Sequence, residues 1–276
     1  MNRCRSFLCL AFVLALGLGI TLASAQDQQT FTYQPVVGQP GKDVVWVPTP
    51  EELVEKMLDL AKVTPQDFVI DLGSGDGRTV IAAAKRGARA LGIEYNPDMV
   101  ELSRLNAAQA GVSERAQFIK ADLFESDFSQ ASVITMFLLP DINMRLRPKL
   151  LSLKPGTRVV SNSFTMEDWE PDDRITVEGS CTSWCTAYLW IVPAKVEGKW
   201  NLPQGEMTLQ QAFQMISGTM HKDGRSIPLR GRLRGEEITF TAGDAEYIGR
   251  VNGDHISLRL KNASGAAELI ASRERP

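Results

Sequence analysis

Three carboxylates close three apolar runs in the first half of this 276-residue chain: Asp71 ends the run from Phe68, Glu94 ends the run from Ala90, and Asp122 follows Gln117–Ala121. Directly after the first, glycines stand at alternate positions in Asp71-Leu72-Gly73-Ser74-Gly75-Asp76-Gly77-Arg78. Glycine removes Cβ atoms where a backbone must turn tightly and lets a ligand lie against main-chain groups at the start of a helix. Acids at the C-terminal ends of neighbouring strands converge on one crevice, where open α/β sheets bind ligands. The chemistry implied is the binding of a small molecule with an adenosine-like body.

The elements that must position these residues are legible from hydrophobic periodicity. Thr49-Pro50-Glu51-Glu52 reads as a helix start, with Thr49 as N-cap, Pro50 as first helical residue and Glu52 completing a capping box. Leu53, Val54, Met57, Leu58 and Ala61 form its buried stripe. Strands are predicted over Phe68–Asp71, Ala90–Glu94, Gln117–Ala121, Val133–Leu138 and Thr157–Asn162. Helices are predicted over Arg78–Arg86, from Asn96-Pro97 to about Gly111, and over Asp141–Leu150. Short connections between alternating strands and helices predict a parallel sheet with right-handed crossovers. Arg174–Glu178 and Trp184–Val192 read as an antiparallel hairpin closing its far edge.

The glycine string, Glu94, Asp122 and the closing hairpin together resemble class I S-adenosylmethionine-dependent methyltransferases over about residues 48–192. Pro48-Thr49-Pro50, Met57-Leu58 and Phe137-Leu138-Leu139-Pro140 before Arg147-Pro148 are similar to the bacterial and mitochondrial relatives that include protein-lysine methyltransferases acting on ATP synthase. The resemblance implies an α/β class, a Rossmann-like seven-stranded sheet over 48–195, and S-adenosyl-L-methionine as cofactor. Asp71 with Gly73, Ser74, Gly75, Asp76 and Gly77 then surrounds the amino-acid end of the cofactor, Glu94 takes the ribose hydroxyls and Asp122 the adenine amine. Tyr95 and Leu123 pack on the adenine ring. Thr49 joins this set and, with Trp46, forms a lid.

Methyl transfer from a sulfonium is an in-line displacement that asks for alignment of a deprotonated nucleophile and exclusion of water. Groups for the methyl acceptor, a protein lysine or other amine, are expected after the fourth and fifth strands: Phe137, Pro140, Asp141, Asn143 and Asn162. Asp141 or Asn143 could orient the nitrogen. A nicotinamide-dependent dehydrogenase is the competing enzyme, because Glu94 lies about 20 residues beyond the glycines. The G-x-G-x-G spacing, Asp122 and the hairpin favour the methyl donor. His221 and His255 both lie beyond the sheet, which weighs against histidine base catalysis there.

The formal net charge of −3 carries no basic signature, so nucleic acid is not an expected partner. Arg3 and Arg5, the apolar run Phe7–Leu22 and Ala23-Ser24-Ala25 read as a signal peptide over 1–25, cleaved before Gln26. The mature protein is then exported, periplasmic or secreted; retention of the segment would leave a membrane anchor. Removing the two arginines leaves 28 basic side chains against 33 acidic ones, a net charge of −5. Export raises a second class of function, a non-catalytic envelope binding or assembly protein on a methyltransferase scaffold, since the cofactor is made inside the cell. Cys181 and Cys185 are the cysteines that remain, as a disulfide or as free thiols; on a continuous strand they would lie about 13 Å apart, so bonding needs a turn at 181–183. No second Cys or His pair stands at zinc-ligand spacing.

Residues 26–47 read as an extended arm with a turn at Gln39-Pro40-Gly41. Residues 196–276 read as a small antiparallel β domain, a meander or barrel over Met207–Met220, Ile227–Leu233, Glu237–Thr241, Ala245–Val251, His255–Leu260 and Glu268–Ser272. Within it Gly231-Arg232-Leu233-Arg234-Gly235-Glu236 and Gly249-Arg250-Val251-Asn252-Gly253-Asp254 repeat one unit.

Overall fold

The computed structural model describes residues 31–179, 181–261 and 268–274. The signal segment expected over 1–25 lies outside them. Among the described residues, 31–33 belong to one unit and those from Gln34 onward to a second, compact one. In the first, the rings of Phe31 and Tyr33 stand 6.0 Å apart. All helices and strands named below belong to the second. No helix among the described residues is long and apolar enough to cross a membrane.

The first half alternates as predicted: α1 (Glu51–Leu60), β1 (Phe68–Leu72), α2 (Arg78–Lys85), β2 (Arg89–Glu94), α3 (Pro97–Gln109), β3 (Ala116–Lys120), β4 (Val133–Met136), α4 (Pro140–Leu150), β5 (Arg158–Asn162), β6 (Asp173–Thr176) and β7 (Thr186–Ile191). They build one seven-stranded sheet in the order β3-β2-β1-β4-β5-β7-β6. β1 to β5 are parallel, and β7 runs antiparallel between β5 and β6. Both faces are covered, so β1, β4 and β5 are buried along almost their whole length. Leu53, Met57, Val80 and Val100 pack one face, while Ile142, Leu146, Leu150, Trp169 and Trp190 pack the other.

Two local expectations are corrected. Pro50, not Thr49, occupies the cap position of α1 and makes no side-chain cap bond. Thr49 is instead buried, its hydroxyl accepting from Asn162 Nδ2 at 3.3 Å and its carbonyl from Arg78 Nη1 at 2.9 Å. The arm turns at more than Gln39-Pro40-Gly41, with a turn at 37–38 and bends at 42–44: Gly38 N–H donates to Trp46 O and Trp46 N–H to Gln39 O, folding this strap back on itself. The open question of the cysteines is answered by the late start of β7 at Thr186. Trp184, at φ +61°, turns the chain just before it, the Cα atoms of Cys181 and Cys185 come within 5.8 Å, and the two are disulfide-bonded.

The remaining strands, β8 (Gly198–Leu202), β9 (Gly205–Ala212), β10 (Met215–Lys222), β11 (Arg225–Arg234), β12 (Glu237–Ala242), β13 (Ala245–Asn252), β14 (His255–Leu260) and β15 (Leu269–Arg273), form a closed antiparallel barrel. Trp200, Phe240, Leu258 and Ile256 are among the side chains filling it. Met207–Met220, predicted as one segment, is a hairpin turning at Phe213-Gln214. No conventional turn residue marks the site; Phe213 takes φ +52° while its ring stacks on Trp169 at 6.0 Å. The repeated six-residue unit recurs as a strand end and tight turn, in β11 and again in β13. Arg232 bonds the carboxylate of Asp172 at 2.6 Å, Gln214 Nε2 donates to Glu170 O at 2.8 Å and Ala194 N–H to Gly235 O at 2.8 Å, docking the barrel on the sheet.

Asp67 ties three elements of the sheet together. It accepts from Thr64 N at 2.8 Å, from Ser132 Oγ at 2.7 Å and from the Arg158 guanidinium, which also donates to Ala61 O at 2.7 Å. Burial raises its pKa, but the bonds from Ser132, Thr64 and Arg158 outweigh this and hold the carboxyl below its usual range. Asp67→Ala should cost about 3 kcal/mol at pH 7, because it strands a half-buried guanidinium and a hydroxyl. Because the native pKa is depressed, the contribution is present above the unfolded-state pKa of about 4 and is lost as pH falls through the native one. Urea midpoints of both proteins at pH 7 and pH 3 measure this.

Candidate active site

The strand order reverses between β1 and β4, and the glycine turn leaves β1 at that point. A crevice of about 1040 Å³, its mouth included, opens there. Asp71, Gly73, Ser74, Gly75, Asp76, Glu94, Tyr95, Asp122, Leu123 and Phe137 line it, with Thr49 and Trp46 from the strap. Of the residues singled out for the cofactor, Gly77 alone is not in the lining. It sits behind the turn, where a Cβ would come within 2.8 Å of the Phe118 ring.

The turn holds itself. Gly73 and Ser74 N–H both donate to Ile93 O, Gly77 N–H donates to Ser74 O, and Gly75 N–H donates to Glu94 Oε2 at 3.0 Å. These N–H groups are committed within the protein, so the turn offers a ligand its shape and the Ser74 hydroxyl more than its amides. Ser74 Oγ is buried and has no protein partner. Glu94 is fixed at both oxygens, Oε1 accepting from Asn96 N at 2.9 Å. Asn96 also caps α3 by accepting from Asp98 N. Arg78 grips Asp76 with two nitrogens and reaches Thr49 O, joining the turn to the strap.

Asp71 is buried, and Thr135 Oγ1 donates to its Oδ1 at 2.6 Å. Burial pushes its carboxyl up to about 7; the Thr135 bond opposes this, and the nearby charges of Asp76 and Glu94 add to it. Such a group is poised for a cationic partner.

The strap crosses the crevice. Trp46 lies on Gly75, where a Cβ would fall 2.5 Å from Nε1, so a residue without a side chain is required for that approach. Lys42 Nζ bonds Asp122 Oδ2 at 2.5 Å and stands 5.2 Å from the centre of the Tyr95 ring. Asp122 Oδ1 accepts from Phe124 N. The Lys42 bond holds the Asp122 carboxyl below its usual range, and the same bond raises the Lys42 ammonium. Nothing in the spacing of Lys42, 80 residues before Asp122, signalled this pairing.

The acceptor candidates are dispersed. Phe137 lines the crevice, but Pro140 and Asp141 are exposed in the first turn of α4. Asn143 is buried with Nδ2 directed at the carbonyls of Phe164 and Thr165, at 3.4 and 3.3 Å. Asn162 is buried between Thr49 and Ser163. Among the described residues, no group of His, Cys, Asp and Glu could hold a metal.

A family model described as the ANTKMT methyltransferase domain matches residues 71–173, and one described as DNA methylase matches residues 33–105. A protein-lysine N-methyltransferase of Saccharolobus islandicus is 45% identical over 152 residues, which cover 54% of this chain and 94% of that protein. A human lysine N-methyltransferase named for ATP synthase is 38% identical over 140 residues, covering 50% of this chain and 59% of the human protein. An RNA methyltransferase from Salinibacter ruber, solved in complex with S-adenosyl-L-homocysteine, is 48% identical with a TM-score of 0.51, covering 54% of this chain and 96% of that one.

The raised pKa of Asp71 has a sign that can be measured. The native state keeps its proton up to about pH 7 and the unfolded state only to about pH 4, so stability falls as pH rises between them. Wild-type protein should lose a few kcal/mol between pH 4 and pH 8, and Asp71→Asn should flatten that slope; denaturant unfolding across the range reads both.

Proposed function

Because the chain belongs to the protein-lysine N-methyltransferase family, we propose that it transfers a methyl group from S-adenosylmethionine to the ε-amine of a lysine in another protein. The observation that carries this reading is the crevice at the β1–β4 reversal, where a buried acid, a buried hydroxyl without a protein partner and two further acids converge. When bound, the cofactor supplies an electrophilic methyl on a sulfonium.

The side chains fit the parts of that molecule. Asp71, costly as a buried anion, suits the ammonium, and Ser74 Oγ suits the carboxylate. Glu94 is held rigid for the ribose hydroxyls, Asp122 accepts from the adenine amine, and Tyr95 with Leu123 packs on the ring. Trp46 and Thr49 close the strap over the site and exclude water. For this to happen, Lys42 must share or release Asp122.

On the acceptor side, Met136, Leu138 and Ile142 beside Phe137 carry no titratable group. An apolar wall disfavours ammonium and lowers the pKa of an entering amine, so the neutral nucleophile is generated by desolvation. The ammonium proton passes to water as the amine enters; the neutral nitrogen would then take the methyl group from the bound cofactor, whose sulfur would leave as the neutral thioether, and the product would carry the charge on nitrogen. The Salinibacter relative is named for RNA, but a net charge of −3 offers no electrostatic footprint for a polyanion here. The basic–apolar–small pattern of residues 1–25 and the Cys181–Cys185 disulfide support a site of action outside the cytoplasm.

Titration calorimetry with S-adenosylmethionine and transfer of labelled methyl to lysine in envelope protein extracts test this reading. Glu94→Ala should weaken cofactor binding at least ten-fold, with Glu94→Gln intermediate. Absence of binding at millimolar cofactor would overturn the proposal.

A further inference from the structure

Phe137, Phe164 and Trp184 form a three-ring cluster beside the crevice. Phe137 lies 6.1 Å from Phe164 and 5.8 Å from Trp184 between ring centres, and Phe164 lies 5.4 Å from Trp184. Phe137 belongs to the crevice wall as well, so the cluster continues the cavity outward. Trp184 is 45% exposed and belongs to none of the buried cores.

Two of the three rings are held by separate devices. Trp184 has φ +61°, an unfavourable conformation for a bulky residue, inside the loop closed by Cys181–Cys185. Asn143 bonds the carbonyls of Phe164 and Thr165 from the buried side. A covalent clamp packed against the core and a buried amide both act on a half-exposed aromatic face. They preorganise a surface.

We propose that this aromatic face seats the side chain of the acceptor lysine, which rests on the lysine-methyltransferase reading above. The rings touch one another and leave no gap for a guest, so the lysine stem lies along their outer faces and does not enter a cage. The ammonium is attracted to the π-face of Trp184, while the neutral amine advances past Phe137 to the apolar wall. Methylation leaves the charge in place and adds apolar area, so mono- and dimethyl-lysine are retained as well as lysine. The seat reads a side chain and no flanking sequence. Trp184 is thus a positioning and specificity residue, and the disulfide keeps it in place.

The test uses the full chain with labelled S-adenosylmethionine and poly-L-lysine as acceptor. Trp184→Ala should raise KM for poly-L-lysine about ten-fold with kcat and the calorimetric cofactor Kd unchanged; Trp184→Phe should restore KM and Trp184→Leu should not. Cys181→Ser with Cys185→Ser should reproduce the rise in KM. Unaltered KM in Trp184→Ala, or rescue by leucine, overturns the seat, as does a wild-type enzyme that labels extract lysines but not poly-L-lysine. A wild-type protein that labels no lysine in any acceptor overturns the reading on which the seat depends.

Discussion

The carboxylate of Asp71, sealed at the C-terminal end of the central strand, is the constraint around which the molecule is arranged. A charge there is costly, and one hydroxyl from the neighbouring strand, Thr135, is its hydrogen-bond donor. A buried acid with a single donor draws in cations, and every element near it respects that field. The glycine turn spends its amides on Ile93 and Glu94. Asp76 is paired with the fork of Arg78.

The strand–helix alternation and the three acids were legible because each rests on a local signal: an apolar run, a glycine, a cap. Asn96-Pro97 names its own helix, and Glu94 stands where a strand must end. Sequence spacing could not show that Asn143 and Asn162, polar residues after strands, turn away from the crevice to satisfy buried backbone and the Thr49 hydroxyl. Their destination depends on what packs behind them, which is a tertiary matter.

Long-range pairings were hidden for the same reason. Lys42 reaches Asp122, Trp46 covers Gly75, and Arg232 reaches Asp172 across 60 residues. The disulfide was undecidable from composition, since one residue in the left-handed region, Trp184, makes the difference between about 13 Å and bonding distance. Phe213 hid a hairpin because its turn is held by a ring stacked on another element instead of by glycine or asparagine.

In the barrel, β15 pairs with β8, so the chain leaves beside the strand by which it entered. A unit whose entrance and exit adjoin is topologically a bead on the string. Such a unit can be added or removed with no rethreading of the sheet that carries it. The places where the bead touches its host include the Asp172–Arg232 pair, the Gln214 amide, the ring of Phe213 on Trp169 and the Ala194–Gly235 bond.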